Sequence, residues 1–475
     1  MKPISRSFLF VMLFLFSKAS LAQKPLLEFN LVTGPNGKSL GKIKNITQDP
    51  HGYIWFAGEG GKCIYRYDGN RIITYRHDDA NPNSLGGTTV NSVYADNSGM
   101  IWVGLNEGLD KYNPATGIFK HYRHNPRDPE SLGGTPGPTG PVLRDQQGRL
   151  WVGTDNGLDR LNEKTGKFIH YRNESGNQKS LSSNIVWCIY EDRQGVIWVG
   201  TGFPWFKKDP EDGGLNRLEP DGTFTRFMHD PNNPHSLINN KIAAILEDSH
   251  GVFWVGTSGD GLHTMDRKTG TFVRDLYNPK TPDQLSRPPL KPGNDNEKIT
   301  FITEDSTGKI WIGTMGSGIN RYNPVTKKIT HLEHSYGFPD GTSWNAFTSK
   351  EGEVWITTQD NNLYRVDPFY KSVNHLSTGN MPGGFLEDNK GNLWIGTFGN
   401  GLLEYDQHKK FIQQFKHNPS DPLSLTRDNQ VTYLFQNQPD SIWVGTGLGL
   451  RIFNTVTKQF SNFYQTGNLK DTALG

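Results

Sequence analysis

The sequence predicts an all-β fold, a β-propeller built from four-stranded antiparallel blades, and three observations predict it. A phrase with a central tryptophan recurs nine times along the chain. Each copy carries the same order of turn signatures and short strand patterns. The 475 residues also include 54 glycines and 12% aromatic residues, with only 34% hydrophobic residues. Such a composition favours short strands and turns over helices.

The repeat is defined by its tryptophans, which follow one another at intervals of 39 to 57 residues. The nine motif tryptophans are Trp55, Trp102, Trp151, Trp198, Trp254, Trp311, Trp355, Trp394 and Trp443. A period in this range, with four strand patterns in each copy, is typical of propeller blades. We therefore interpret the phrase as a building block of the fold.

Each copy begins with a predicted hairpin turn. An aspartate stands six residues before most of the tryptophans and a glycine three residues before, as in Asp192–Gly195. Aspartate at the first and glycine at the last of four positions is the signature of a type I turn. Ser349 and Asn437 replace the aspartate in two copies, where we expect them to serve the same purpose.

The other recurrent residues have structural interpretations as well. The motif tryptophan is predicted to lie between blades, with an indole N–H that needs a partner. The connections between blades contain His77, His124, His229 and His417, each followed by a leucine that we expect to pack between blades. A metal site built from these histidines is the alternative, but they belong to different blades.

The pattern of residues 1–22 predicts a signal peptide. Lys2 and Arg6 precede a short apolar segment, Phe8–Phe16, and small residues follow at 20–22. The apolar segment is short for a membrane anchor, which is the alternative. Cys63 and Cys188 lie in different repeats, so we expect two core thiols and no disulfide.

Charge and motifs limit the functional classes. The formal net charge is +2, and without residues 1–22 the chain would carry 47 basic and 48 acidic residues. This balance gives no reason to expect a nucleic-acid partner. The sequence contains no nucleophile elbow, phosphate-binding loop or metal-ligand spacing, so we predict no catalytic residue, cofactor or metal.

The pattern D-x-x-G-x-I-W-V-G-T followed by G-L-x-R-Y-N-P-x-T-G resembles the two-component regulator propeller family, from about Leu27 to Tyr464. In that family such an array is the periplasmic sensor region of a hybrid or plain sensor histidine kinase. The resemblance implies a small-molecule ligand, commonly an oligosaccharide, and a chain that is not itself an enzyme.

The resemblance also implies seven-bladed rings. Residues 23–376 would form a first propeller from repeats 1–7, and residues 377–475 would begin a second, incomplete one. A single assembly of nine repeats is the alternative. Family sensors continue into a further β-domain, a membrane helix and a kinase, so we expect membrane contact only through a C-terminal part beyond this sequence. Leu26–Gly34 resembles an isolated outer strand that could complete a blade begun elsewhere in the chain.

Ligand-binding positions should differ between blades, whereas structural positions repeat. The position eleven residues before each motif tryptophan, at the start of the inner strand, varies in this way. It is occupied by Lys44, Asn91, Gly140, Trp187, Ala243, Thr300, Trp344, Gly383 and Thr432. Trp205 lies in an insertion, residues 202–214, that should emerge on the same face.

Flat aromatic side chains suit sugar rings, and lysine and asparagine can bond hydroxyl groups. We therefore expect the ligand to contact five residues, namely Lys44, Asn91, Trp187, Trp205 and Trp344. Packing between blades or docking of a partner is the alternative role for the tryptophans.

The predicted function is the extracytoplasmic, ligand-sensing propeller region of a two-component sensor. A stand-alone exported binding propeller and a propeller lyase or hydrolase are the alternatives, because the fold alone does not decide function. Signalling would require the ligand to bias two arrangements of the propeller or of its homodimer.

Overall fold

A computed structural model describes residues 27, 29–34, 39–58, 62–136, 140–204, 213–258, 261–275, 298–315, 318–332, 342–368, 378–407 and 410–463. The secondary structure of these residues consists of 36 β-strands in nine four-stranded antiparallel sheets. The predicted all-β, four-stranded blade architecture is therefore confirmed. The chain divides into two compact units, residues 1–370 and 371–475. The predicted signal peptide, residues 1–22, lies outside the described residues.

Seven blades form the first unit, and we number them in the order of their motif tryptophans. Blade 1 contains β2 (Ile43–Gln48), β3 (Ile54–Gly58), β4 (Cys63–Tyr67) and β5 (Ile72–Arg76). Blade 2 contains β6 (Val90–Ala95), β7 (Ile101–Leu105), β8 (Gly108–Asn113) and β9 (Ile118–Tyr122). Blade 3 contains β10 (Val142–Arg144), β11 (Leu150–Thr154), β12 (Gly157–Asn162) and β13 (Lys167–Tyr171). Blade 4 contains β14 (Val186–Glu191), β15 (Ile197–Thr201), β16 (Gly214–Leu218) and β17 (Phe224–Phe227).

The remaining blades of this unit follow the same order of strands. Blade 5 contains β18 (Ile242–Glu247), β19 (Phe253–Thr257), β20 (Leu262–Asp266) and β21 (Thr271–Asp275). Blade 6 contains β22 (Ile299–Glu304), β23 (Ile310–Thr314), β24 (Ile319–Asn323) and β25 (Lys328–Leu332). Blade 7 contains β26 (Ser343–Thr348), β27 (Val354–Thr358), β28 (Leu363–Val366) and, as its outer strand, β1 (Phe29–Val32).

The N-terminal strand completes the last blade of the ring. β1 pairs antiparallel with β28, from Phe29 opposite Val366 to Val32 opposite Leu363. The expectation that this segment completes a blade begun elsewhere is confirmed. Leu27, only 4% exposed, joins the core of the same blade. This pairing joins β1 to the seventh blade and covers the edge of β28, the third strand of that blade.

Blade 7 also packs against blade 1, so that the seven blades close into a ring. Gln48 Nε2 donates a hydrogen bond to Glu351 Oε2 at 2.7 Å, and the Lys350 N–H donates to Gln48 Oε1 at 2.7 Å. Trp355 of blade 7 shares one hydrophobic cluster with Phe56 and other core residues of blade 1. The ends of the ring are thus joined by both polar and apolar contacts.

The second unit contains two blades. Blade 8 contains β29 (Pro382–Glu387), β30 (Leu393–Thr397), β31 (Leu402–Tyr405) and β32 (Phe411–Phe415). Blade 9 contains β33 (Val431–Gln438), β34 (Ser441–Thr446), β35 (Gly449–Asn454) and β36 (Gln459–Asn462). The fully buried Trp394 of blade 8 packs in one cluster with Val431, Val444 and Phe453 of blade 9.

The aspartate of the repeated phrase holds both the hairpin turn and the tryptophan. In blade 4, Asp192 Oδ1 accepts hydrogen bonds from two backbone N–H groups of the turn, and its Oδ2 accepts one from Trp198 Nε1 at 2.9 Å. The Gly195 N–H closes the turn onto the Asp192 carbonyl at 2.8 Å, and the φ of Gly195 is +79°. The predicted turn is confirmed, and the aspartate is the partner that the indole requires. The same indole–carboxylate bond, 2.7–3.0 Å long, occurs at Trp55, Trp102, Trp151, Trp254, Trp311 and Trp394.

Ser349 performs only part of this task in blade 7. Its Oγ accepts a hydrogen bond from the Glu353 N–H at 3.3 Å, as the aspartates do in the turn. The indole nitrogen of Trp355 is buried and has no hydrogen-bond partner among the described residues. The expectation that serine replaces aspartate fully is therefore wrong, because its side chain is too short to reach both the turn and the indole. The side chain of Asn437 lies outside the described residues.

Histidines in the connections between blades fasten their own loops. The Nδ1 atom of His124 lies 2.7 Å from the carbonyl oxygen of Leu132. The same contact to a leucine eight residues later is made by His77, His229 and His417. These leucines are Leu85, Leu132, Leu237 and Leu425, each at most 1% exposed, which confirms the predicted packing between blades. The contacts give these histidines a structural role.

Two further observations complete the description. Cys63 and Cys188 are both free thiols, as expected. Among the residues that the structure describes, no helix is long and apolar enough to cross a bilayer.

Candidate ligand-binding site

A cavity of about 600 Å³ occupies the middle of the seven-bladed ring. Its wall is built from the inner strands, and each of the seven blades contributes. At the position eleven residues before the motif tryptophan, the residues on the wall are Lys44, Gly140, Trp187, Ala243, Thr300 and Trp344. The volume lies in the range of small-molecule sites, about 300–1,000 Å³.

A β-bulge produces this shared position. In β14, Val186 pairs with Thr201 and Cys188 with Gly200, so that Trp187 is the extra residue of the bulged strand. The same shift leaves Lys44, Asn91, Ala243, Thr300 and Trp344 as the extra residue of their strands. A bulge re-aims the side chain of the extra residue while the flanking residues keep their pairing. The position therefore varies between blades without disturbing the sheet.

Glycine on the neighbouring strand lets adjacent blades come close behind the bulge. A Cβ atom on Gly200 would lie 2.5 Å from Cys188 Sγ and 2.7 Å from Ile242 Cγ2 of the next blade. At Gly256 such an atom would lie 2.5 Å from Ile299 Cγ2. The glycine two residues after the motif tryptophan is thus required by close approach, as its recurrence indicates.

Lys44 and Asn91 lie together on the blade 1–blade 2 side of the channel. Lys44 Nζ donates to Asn91 Oδ1 at 3.1 Å. The Asn91 amide donates in turn to Asn106 Oδ1 at 2.9 Å and to the Pro136 carbonyl at 3.0 Å. Asn91 is 3% exposed and does not form part of the cavity wall. Lys44 therefore lines the cavity, and Asn91 holds the Lys44 ammonium group from behind the wall.

The two tryptophans come from separated parts of the ring, blades 4 and 7. Trp187 is 6% exposed and packs edge to face on Phe203, with ring centroids 5.3 Å apart. Trp344 is half-buried, and Lys42 Nζ of the adjoining blade 1 lies 5.2 Å from the centroid of its ring. The cavity thus has an aromatic side chain from each of two separated blades.

Burial alters the properties of three polar groups of residues on the cavity wall. Burial raises the pKa of the Cys188 thiol to about 12. Burial likewise raises the pKa of the Tyr94 hydroxyl, which accepts a hydrogen bond from the Arg144 N–H at 3.1 Å. Thr300 Oγ1 is buried and has no hydrogen-bond partner among the described residues. A buried hydroxyl of this kind normally has a partner, so Thr300 Oγ1 is an unsatisfied polar atom of a residue on the wall.

Three predicted residues, Lys44, Trp187 and Trp344, line one cavity, and Asn91 contacts one of them. Trp205 lies outside the described residues. Sequence reasoning missed Tyr94 and Phe347, which also line the cavity. Both stand eight residues before their motif tryptophan, where the residue type also varies between blades, so a comparison of the whole inner strand would have found them.

Comparison with known proteins agrees with the repeat and the fold. The model of the family described as two component regulator propeller matches residues 180–203, 236–259, 293–316 and 375–399. Four repeats of the chain therefore match the two-component regulator propeller model. The resemblance noted from the sequence is confirmed, and each matched segment contains an inner strand and the repeated phrase.

Solved structures share the fold at low sequence identity. The extracellular domain of a protein assigned as a hybrid two-component system from B. thetaiotaomicron is 23% identical, with a TM-score of 0.55 over 93% of this chain and 60% of that one. The extracellular domain of a protein assigned as a one-component system from the same organism is 19% identical, with a TM-score of 0.53 over 92% and 54%. An inactive virginiamycin B lyase from Staphylococcus aureus is 13% identical, with a TM-score of 0.51 over 72% and 99%.

A curated relative is histidine kinase P4 of Formosa agariphila. It is 28% identical over 227 residues, which are 45% of this chain and 16% of that protein. The chain therefore spans a small part of the length of this relative, and less than two thirds of both Bacteroides domains.

Proposed function

We propose that the seven-bladed ring is the ligand-sensing region of an exported two-component sensor, and that it binds an oligosaccharide in the central cavity. The observation that carries this proposal is the bulge shared by the inner strands. It points side chains of unlike chemistry, among them Lys44, Trp187 and Trp344, into one cavity of about 600 Å³.

The chemistry of the wall supports a sugar. Aromatic side chains stack on the apolar faces of pyranose rings, and the Lys44 ammonium offers hydrogen bonds to sugar hydroxyls. In this proposal Asn91 positions Lys44 and does not contact the ligand.

The comparisons support the setting of the sensor. Two of the similar structures are extracellular domains of signalling proteins, and the curated relative is a histidine kinase. Together with the signal-like residues 1–22, they support export to the periplasm and a link to a kinase carried by a longer protein. The ligand would then bias two arrangements of the propeller or of a homodimer.

Calorimetric titration of the full chain with a panel of neutral and acidic oligosaccharides tests the proposal. We expect saturable binding without turnover, weakened at least about tenfold in the double variant Trp187→Ala, Trp344→Ala, because two stacking surfaces are lost. Phe435→Ala is the matched control, since it removes a 50%-exposed aromatic side chain of the second unit.

Three results would contradict the proposal: no binding across the panel, affinity unchanged in a double variant that still melts cooperatively, or release of a cleaved product by the purified chain. The last result would move the protein to the propeller enzymes.

A further inference from the structure

A second groove, of about 930 Å³, lies where blades 3, 4 and 5 meet. Its wall includes the turns that follow the inner strands, around Gln147, Gly195 and Gly251. These turns stand at the other end of the inner strands from the bulges, so the groove opens on the opposite face of the ring. It shares no lining residue with the central cavity.

Guanidinium groups dominate the wall of this groove. Arg149, Arg160, Arg217 and Arg267 line it together with Lys268. Three of the arginines are paired with carboxylates: Arg149 with Asp145, Arg217 with Glu219, and Arg267 with both Asp192 and Glu247. Asp192 and Glu219 are the paired acids on the wall, and the third acid there, Asp266, accepts hydrogen bonds from the backbone of its own turn.

Arg160 is the exception among these arginines. Its guanidinium carbon lies 5.8 Å from the centroid of the Trp151 ring, and the side chain is half-buried. No carboxylate oxygen of the described residues lies within 4 Å of its nitrogen atoms, and no hydrogen bond of this group occurs within the described chain. The five N–H donors of this half-buried guanidinium are therefore available to an acceptor on a bound molecule.

The neighbouring blade shows one way in which the repeat neutralises a cation at this position. Lys111 of blade 2 occupies the same place in its third strand, and its Nζ bonds Glu163 of blade 3 at 2.6 Å. Glu163 is the last residue of "GLDRLNE", and the corresponding residue of blade 4, in "GLNRLEP", is Pro220. The acid that neutralises the cation at one junction between blades is therefore replaced by proline at the next.

The rest of the wall is mixed and includes one accessible aromatic ring. Half-buried Tyr171 lines the groove and packs on Trp151, which is 0% exposed, with ring centroids 5.7 Å apart. An arginine pairs its planar fork with oxyanions such as carboxylate and sulfate, and an aromatic wall suits a ring attached to the anion. The groove thus combines an anion-binding group with a surface for an apolar ring face.

We propose that this groove is a second binding site, which takes a small molecule bearing a carboxylate or sulfate and holds the oxyanion on Arg160. A free inorganic anion and an acidic sugar share this chemistry. The site is independent of the oligosaccharide proposed for the central cavity.

The test uses the full chain with glucuronate, inorganic sulfate and neutral glucose as probes in calorimetric titration. Arg160→Gln removes the charge and keeps a polar side chain. Arg66→Gln is the matched control, because Arg66 occupies the same strand position in blade 1, with its guanidinium 5.9 Å from the ring of Trp55, and lies outside the groove. Both variants are checked for an unchanged melting temperature.

We expect glucuronate to bind the unmodified chain and the Arg66→Gln variant alike, and the Arg160→Gln variant at least about tenfold more weakly. Glucose carries no anionic group, so it should show no binding that depends on Arg160. Sulfate as tight as glucuronate would identify the anion alone as the ligand group, whereas tighter glucuronate would show that the aromatic wall contributes.

The proposal is overturned if neither anion binds, or if Arg160→Gln leaves the affinity unchanged. Equal weakening by Arg66→Gln would also overturn it, since binding would then reflect general charge. None of these results bears on the central cavity, whose test depends on Trp187 and Trp344.

Discussion

Trp254 donates a hydrogen bond from Nε1 to Asp248 Oδ2 at 2.8 Å, across six residues of chain. The other carboxylate oxygen of Asp248 accepts the backbone N–H groups of His250 and Val252, both at 2.9 Å. A single buried carboxylate therefore joins the hairpin turn to the tryptophan that packs on the next blade. Asp248 is 0% exposed, so these bonds are shielded from water.

Replacing this carboxylate should destabilise the ring. Asp248→Ala leaves an indole N–H and two backbone N–H groups without their acceptor, and we expect the free energy of unfolding to fall by about 2–4 kcal/mol. Urea denaturation followed by tryptophan fluorescence measures the change.

The matched control for Asp248 lies in blade 7. Ser349→Ala removes a side chain from the same position, but the Trp355 indole already lacks a hydrogen-bond partner among the described residues. We expect a loss of less than about 1 kcal/mol. Equal effects of the two variants would show that the indole bond contributes nothing to stability.

Because the N-terminal segment completes blade 7, alanine substitutions of two leucines in this segment should differ in their effect on stability. Leu27 is 4% exposed and packs with Val354 and Val366, whereas Leu31 of β1 is 52% exposed. Leu27→Ala should cost about 2–4 kcal/mol, because it opens a cavity in blade 7, and Leu31→Ala less than about 0.5 kcal/mol. Thermal unfolding of both variants checks the prediction, and similar melting temperatures would contradict the docking of this segment.

His263 should make the stability of the ring depend on pH. Its Nε2 accepts the Ile238 N–H at 3.0 Å and its Nδ1 faces the Val255 carbonyl at 3.2 Å, which fits a neutral imidazole. Burial lowers the pKa of His263 from 6.5 to about 4. The unfolded chain therefore binds a proton between these values while the folded chain does not. The stability contribution is present above pH 6.5 and is lost as the pH falls toward 4, by up to about 3 kcal/mol.

The measurement is the free energy of unfolding against pH, with His263→Gln as the variant. The variant should flatten the curve between pH 6.5 and 4. His170 provides a control of opposite sign, because its hydrogen bond to Asp159 raises the pKa of this histidine. Its contribution is present below pH 6.5 and is lost as the pH rises through the folded pKa. A slope unchanged by His263→Gln would contradict the assignment.

The two thiols should resist modification in the native protein. Burial raises the pKa of Cys63 and raises that of Cys188 to about 12, so the thiolate is scarce at pH 8. Iodoacetamide should alkylate both cysteines rapidly in urea and only slowly without it, as followed by mass spectrometry. Rapid labelling of Cys188 alone in the native protein would show that its sulfur is more accessible and more acidic than the geometry implies.

Much of the candidate site followed from comparing repeats. The position occupied by Lys44, Trp187 and Trp344 was found because it varies where the surrounding residues recur. The reason for its variability could not be found in that way, because a bulge is a relation between two strands. Asn91 shares the position, yet its amide bonds Asn106 and Pro136 and leaves the wall to Lys44.

The groove around Arg160 could not be predicted from single repeats, because residues of three blades form it. The arginine occupies a recurrent position, which Arg66, Arg217 and Arg321 hold in their own blades. Its counterparts Arg217 and Arg321 pair with an acid of their own blade, and Lys111 pairs with Glu163 of the next blade. Arg160 has neither partner among the described residues, and Pro220 stands where Glu163 stands in the preceding blade. Only the packing of neighbouring blades shows which cations of the repeat are neutralised.

The sequence by itself determined the repeat, the four strands of each blade, the aspartate–glycine turns and the variable position at the start of the inner strand. These features depend on residues close together in the chain, and nine copies make the pattern evident. The tertiary structure alone decided which partners meet: Gln48 with Glu351 at the closure, Lys44 with Asn91, and Arg160 with none of the described carboxylates. Such contacts join residues from different blades or from distant parts of the chain, and the energy of a buried polar group depends on the neighbour that it finds there.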